Sequence, residues 1–271
     1  MIEFIAEKNG KLSKLALYQV EDLSFSTFQK LLRNKDVKVN GKRTGQDIIL
    51  SQGDKVILYY NKTNDKYSFL YCDDNILVVD KKSGYTSESV FEQIKQKYSN
   101  AKFIHRLDRN TSGVMVFALN KESENLLLDG FKNRTFDKKY LATVYGIVKK
   151  QQDVLTAYLL KDSENSLVKI FDKKVEGSVL IKTGYKVVKQ YKETADLLVE
   201  LFTGKTHQIR AHLAHIGHFI IGDGKYGDNQ VNKKFGVKSQ KLNSYSLTLH
   251  FNSECLLSYL SEKTFVSKQG N

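Results

Sequence analysis

The order in which apolar segments recur constrains the fold of this chain most. Runs with strand character lie at 76–79, 114–119, 140–145 and 197–202, and helical patterns lie near 88–98, 121–133 and 207–216. A parallel sheet needs a crossover, usually a helix, between successive strands, and this order does not alternate in that way. The expected fold class is therefore α+β, with a mixed, largely antiparallel β-sheet and flanking helices. No glycine-rich motif that would cradle a nucleotide interrupts the pattern, so no cofactor is expected.

Ahead of this region, residues 12–60 read as a separate small α/β module. Leu12, Leu15, Ala16 and Leu17 form one helical stripe, and the spacing of Ser26 and Gln29 suits a capping box before Phe28, Leu31 and Leu32. Val37 and Val39 then alternate with lysines, Asn40-Gly41 is a tight-turn dipeptide, and residues 56–60 suit a later strand. The polar stretch 61–68, "NKTNDKYS", lacks periodicity and reads as a linker. Two domains are expected, over residues 1–62 and 69–271.

Charge narrows the partners. Lysine and arginine number 43 against 30 aspartates and glutamates, a net charge of +13, which favours a polyanion bound through phosphate contacts. No apolar run approaches the roughly 18–20 residues that a membrane-crossing helix needs. Glu3, Glu7 and Lys8 interrupt any secretory signal at the start, so a cytoplasmic protein is expected. Cys72 and Cys255 fit neither a disulfide framework nor a zinc-binding spacing. The chain contains no proline and no tryptophan.

The most specific segment is His105-Arg106-Leu107-Asp108-Arg109-Asn110-Thr111-Ser112-Gly113, between apolar "AKFI" and the strand "VMVFAL". A carboxylate on a loop between two strands is exposed by the loop and fixed by its neighbours. Thr111, Ser112 and Gly113 can satisfy a tight turn that aims Asp108 outward. Two further segments stand in order behind it, "KKYLATVYG" at 138–146 and "TGKTHQIRAHLAHIGHFIIGDGKYG" at 203–227. In the last, Thr206 can cap a helix that Gly217 ends, with Ile209, Leu213 and Ile216 on one face.

Together the three segments resemble the RluA family of pseudouridine synthases, which isomerise uridine in RNA. The resemblance implies that Asp108 is the catalytic carboxylate, that Arg210 pairs with it, and that Tyr140 stacks on the target base. It also implies that Arg106 fills the space left by a flipped base and that His105, Lys205, His207 and Ile209 line the RNA-binding surface. A planar arginine fork favours an ionised, oriented carboxylate, and an aromatic ring suits any base because every base has a π face. Residues 12–60, with "LLRNKDVKVNGKR" at their centre, resemble the alpha-L RNA-binding domain named after ribosomal protein S-four. That likeness implies phosphate contacts from Lys30, Arg33, Lys35, Lys38, Lys42 and Arg43.

Three positions depart from the family pattern. Lys81-Lys82 stands where Lys-Pro is usual, Phe219 replaces a frequent proline, and Lys205 replaces an arginine. The expected partner is structured RNA, ribosomal in preference to transfer RNA, bound by a monomer with no membrane contact. His207, His212, His215 and His218 share helical spacing but have no acid-rich ligand set nearby, so no metal is expected. The rival reading is a non-catalytic RNA-binding or ribosome-assembly factor, which would have no chemical reason to keep Asp108, Tyr140 and Arg210 together.

Overall fold

The computed structural model describes residues 1–20, 23, 25–60, 65–162, 164 and 166–269. Two units separate within it, Met1–Asp65 and Lys66–Asn271.

The first unit runs β1 (Ile2–Ile5), β2 (Gly10–Lys11), α1 (Leu12–Gln19), α2 (Phe25–Arg33), β3 (Val37–Val39), β4 (Lys42–Thr44), β5 (Ile49–Leu50) and β6 (Lys55–Leu58). Asn40 and Gly41 have φ of 48° and 81°, the pair of positive values that a type I′ turn requires, and they join β3 to β4. The sheet order is β1-β6-β3-β4, antiparallel throughout. Both helices bury their apolar stripes against it, with Leu12, Leu15, Phe28 and Leu32 meeting Val37, Val56 and Leu58. Asp47 caps α1 from a distance, accepting from the Ser13 N–H at 2.8 Å and its hydroxyl at 2.7 Å. Because α2 begins at Phe25, Ser26 lies inside the helix rather than ahead of it, and its side chain is outside the described residues. The strand expected over 56–60 is Lys55–Leu58.

The second unit runs β7 (Tyr67–Cys72), β8 (Ile76–Lys81), α3 (Ser87–Lys95), β9 (Lys102–Phe103), β10 (Ser112–Ala118), α4 (Lys121–Asn133), β11 (Asp137–Tyr145), β12 (Gln152–Asp162), β13 (Leu167–Phe171), β14 (Val179–Gln190) and β15 (Thr194–Leu201). It continues with α5 (Gln208–His215), α6 (Asn229–Lys234), β16 (Leu242–Thr248) and β17 (Thr264–Val266). Tyr67 and Ser68, expected in the linker, open β7 instead, and residues 61–64 of that linker lie outside the described residues. The strands form one sheet in the order β13-β12-β14-β15-β11-β16-β10-β8-β7, with β17 on β16 and β9 on β10. Among the described residues only β10 and β16 pair in parallel, so the sheet is mixed and largely antiparallel.

The central strands are covered on both faces, which is why they read as unbroken apolar runs. Leu77, Val79, Met115 and Phe117 share one core with Val90 and Ile94 of α3 and Ile209 and Leu213 of α5. The alternate residues Ile76, Val78, Val114 and Val116 point the other way, onto Leu127 of α4 and Phe136. Asn120 caps α4 through the Ser123 N–H, and Gly130 lets the helix end sit directly on the Phe136 ring. Among the described residues no helix is long and apolar enough to cross a membrane.

Candidate active site

Asp108 lies in the loop between β9 and β10, and that loop is tied down on every side. The Thr111 N–H closes a turn onto the Asp108 carbonyl at 3.1 Å. The Thr111 hydroxyl accepts from Gln240 at 2.7 Å, and the Ser112 hydroxyl from Asn243 at 2.8 Å. Gly113 has a φ of 112° and faces the backbone of Ser244 so closely that a Cβ would lie 2.3 Å from the Ser244 carbonyl oxygen. Each residue of Thr111-Ser112-Gly113 thus has a separate reason for its identity. Gly113→Ala is expected to cost on the order of 3 kcal/mol, because strain at positive φ adds to a backbone clash that no rotamer relieves. Thermal melts check this, and a variant melting within a degree of wild type would show that the contact yields.

Lys81, at the end of β8, supports the same loop from beneath. Its ammonium is fully buried and donates to the carbonyls of Tyr85, Arg109 and Lys82 at 2.8, 3.0 and 3.1 Å. Burial brings its pKa down to about 8, with the charge of Asp108 acting in the opposite direction. His105 also faces inward. Its Nε2 accepts the Val116 N–H at 3.1 Å, its ring stacks on Phe131 at 4.4 Å, and burial, then the charge of Lys138, lowers its pKa to about 3. It is therefore neutral and spends its ring nitrogen on the sheet.

Arg210 comes from the first turns of α5. Its Nη1 donates to Asp108 Oδ2 at 2.8 Å, the pairing expected from the sequence. The rest of its fork holds a second carboxylate, Asp223, through Nε at 2.7 Å and Nη2 at 2.9 Å. Asp223 is fully buried, and sequence reasoning missed it although it stands in the stretch "GDGKYG" that closes the third segment. An aspartate that accepts N–H groups two and three residues on is a legible local signal, and the Lys225 and Tyr226 N–H groups do meet Asp223 Oδ1. Its long-range partner was not legible. Burial alone would lower the Arg210 pKa, but the hydrogen bonds and charges of Asp223, then of Asp108, raise it above its ordinary value.

The start of α5 differs from expectation. Thr206 does not cap it; the residue before the helix is His207, in a left-handed conformation with φ of 55° and no side-chain cap bond. Gln208 folds back instead, its Oε1 accepting from the Thr203 hydroxyl at 2.8 Å and the Lys205 N–H at 3.1 Å. Gly217 does end the helix, with φ of 84°. The four histidines diverge. His207 faces Asp108, His212 bonds Thr183, His215 meets Asp172, and His218 bonds the Tyr145 carbonyl. Phe219 stacks on Tyr145 at 5.2 Å.

These elements enclose a cavity of about 450 Å³ in which Asp108, Tyr140 and Arg210 meet, with Arg106, His105, Lys205, His207 and Ile209 also on its wall. Among the described residues lining it Asp108 alone is acidic, whereas Lys132, Arg134 and Lys138 add cations beyond those the sequence suggested. Tyr140 projects from β11 where its pairing with β16 shifts register, the kind of irregularity that re-aims a side chain beside a site. Burial pushes the Tyr140 hydroxyl up to about 12, a hydrogen bond with Ser244 opposing and the charge of Asp108 adding, so the ring is neutral. Arg106 is exposed and 3.6 Å from Glu88, too loosely held to be fixed there. A cationic, aromatic-walled cavity with one accessible carboxylate among the described residues can bind a phosphodiester chain through its cations and act on one of its nucleotides.

The comparisons with known proteins agree with that class. The sequence profile of RNA pseudouridylate synthases matches residues 75–215, more than half of the chain. The dual-specificity RNA pseudouridine synthase RluA of Vibrio parahaemolyticus is 32% identical over 208 residues, covering 72% of this chain and 82% of its own. An uncharacterised RNA pseudouridine synthase of Aquifex aeolicus is 31% identical over 254 residues, covering 84% and 80%. Other relatives are named as transfer-RNA or ribosomal large-subunit pseudouridine synthases. Among solved structures, human RNA pseudouridylate synthase domain containing 1 superposes with a TM-score of 0.65 at 22% identity, over 78% of this chain and 86% of its own, a likeness of fold. The chain belongs to the RluA family of RNA pseudouridine synthases and is an enzyme of that activity.

Proposed function

We propose that the enzyme isomerises uridine in large-subunit ribosomal RNA, with Asp108 as the reacting carboxylate and Tyr140 against the target base. The observation that carries this reading is the geometry at Asp108: Oδ2 is held by Arg210 at 2.8 Å, while the carboxylate opens into the cationic cavity. The reaction breaks the bond between ribose C1′ and uracil N1, turns the base, and joins C1′ to C5. The C5 proton is lost and N1 regains one, so no co-reactant is needed. A carboxylate recessed in a cavity reaches a uridine only once the base has left its stack.

The preference for ribosomal RNA rests on the first unit. Lys30 and Arg33 lie in the last turn of α2 and Lys42 in β4, all exposed, while Lys38 and Arg43 lie over the Tyr59 ring at 5.3 and 5.0 Å. Arg43 also reaches the Lys35 carbonyl at 2.9 Å. Such a basic helix end and hairpin suits docking onto a large folded RNA through its phosphates, as an S-four-type domain would. Replacing Lys30, Arg33 and Lys42 by glutamine is expected to reduce the slope of log affinity against log salt by roughly 0.9 for each duplex phosphate that is no longer neutralised. The single-turnover rate on bound RNA should be unchanged. An unaltered slope in equilibrium titrations would remove the docking role. Mapping pseudouridines in cells with and without the protein tests the substrate: sites missing from large-subunit RNA support the reading, and losses confined to transfer RNA overturn it.

A further inference from the structure

Tyr226 touches both groups that face Asp108. Its ring packs against the Arg210 guanidinium, 5.2 Å from the guanidinium carbon to the ring centroid. Its hydroxyl lies 2.9 Å from His207 Nδ1, and the two rings meet edge to face. On the other side of the imidazole, His207 Nε2 is 3.8 Å from Asp108 Oδ2, the oxygen that Arg210 also holds. No hydrogen bond reaches Asp108 Oδ1 among the described residues.

The backbone beside Tyr226 favours one direction for the hydroxyl. The Val168 N–H, in β13, donates to the Tyr226 oxygen at 2.9 Å, and a backbone N–H cannot exchange that role. The Tyr226 proton is then free to be donated, and His207 Nδ1 is the acceptor within reach. Burial raises the Tyr226 pKa and lowers that of His207, so both groups are neutral; at His207 the charges of Arg210 and Lys225 act with burial, and those of Asp108 and Asp223 against it. A neutral imidazole that accepts at Nδ1 carries its proton on Nε2. The other tautomer would turn a lone pair toward a carboxylate oxygen. At 3.8 Å the Nε2–H contact is an ion–dipole attraction rather than a formed hydrogen bond. The His207 backbone is left-handed, with φ of 55°, a conformation uncommon for a residue with a side chain, and its ring faces Asp108.

We propose that Tyr226 is a positioning residue for the isomerisation: it locks His207 as the Nε2–H tautomer and braces Arg210, so that both donors converge on Asp108 Oδ2 and Oδ1 is left to meet the target nucleotide. This rests on Asp108 as the reacting carboxylate. The β12–β13 hairpin becomes part of the site's support, through the Val168 N–H and through Lys225, whose ammonium bonds the Ser166 carbonyl at 2.8 Å.

Two measurements test it. In the ¹⁵N imidazole spectrum of the full-length wild-type protein, His207 should appear as the Nε2–H tautomer; an Nδ1–H signal would overturn the proposal without any substitution being made. In single-turnover assays Tyr226→Phe, which keeps the ring and removes the hydroxyl, should lower the maximal rate roughly 10- to 100-fold at an unchanged RNA KM, and the His207 spectrum should become a tautomer mixture. In a His207→Gln background the same change should add less than about threefold, because both variants break one chain. Multiplicative losses, or a defect confined to KM, would overturn it. The spectrum reads His207 whichever group reacts, so failure here is distinguishable from failure of the Asp108 assignment, which Asp108→Asn tests alone.

Discussion

Asp108→Asn is expected to abolish turnover, by on the order of 10⁴-fold or more, while RNA affinity stays within a few-fold of wild type. The amide keeps the shape of the carboxylate, and its oxygen can still accept from Arg210 Nη1 at the position of Oδ2. The loop itself depends on the Thr111 turn, the Gly113–Ser244 approach and the Lys81 bonds, none of which uses the Asp108 carboxylate. What changes is the charge and the nucleophilic or basic oxygen opposite Arg210. RNA binding is expected to survive because the cations on the cavity wall are untouched. Tritium release from uracil C5, measured beside filter binding, reads both quantities. Near-normal release from the variant would remove Asp108 from the chemistry.

Arg210→Ala is expected to cost both rate and stability, and the stability loss follows from Asp223. Burial alone would raise the Asp223 pKa; the hydrogen bonds and charge of Arg210, with the Lys225 and Tyr226 N–H groups, bring it below the ordinary value. A folded-state pKa below the unfolded one stabilises the protein above the unfolded pKa, and that contribution is lost as pH falls through the folded value. Removing Arg210 reverses the balance, leaving a buried carboxylate with two backbone donors and no cation, at a cost of roughly 3–5 kcal/mol near neutral pH. The gap in urea stability between wild type and variant should therefore be widest near pH 7, narrow on acidification, and close only below about pH 4, as the pH falls through the depressed folded-state value of Asp223. A gap independent of pH would mean that Asp223 does not depend on Arg210. In single-turnover assays Arg210→Ala should slow the reaction about 10²- to 10³-fold. Arg210→Lys should lose on the order of 10²-fold, since one ammonium cannot hold Asp223 twice and also reach Asp108. A wild-type rate in Arg210→Ala would show that Asp108 needs no such partner.

Local sequence determined a good part of this protein. Asn40-Gly41 dictates a turn because both positions need positive φ, and Gly217 stops α5 for the same reason. The apolar runs of β8 and β10 announce strands buried on both faces, and Asn120 starts α4 through a bond three residues away. That Asp108, Tyr140 and Arg210 belong to one site was expected from ordered segments that resemble one family, and the fold places all three on one cavity wall. β12 and β14 were not foreseen. Each buries few residues along its length, so no apolar run or clean alternation marks it.

Tertiary structure alone decided the rest, because each remaining feature depends on a partner far along the chain. Thr111 needs Gln240, Ser112 needs Asn243, and Gly113 needs the Ser244 backbone, all brought alongside by the parallel pairing of β10 with β16. Thr206 had the right chemistry for a helix cap, yet the helix starts after His207, whose strained backbone is held beside Tyr226 and Asp108. Arg210 was read as the partner of one carboxylate, and the fold gave it two. Spacing along a chain specifies which groups share a turn or a face, whereas which buried charge meets which is settled only when the core closes and every ion must find its counterpart.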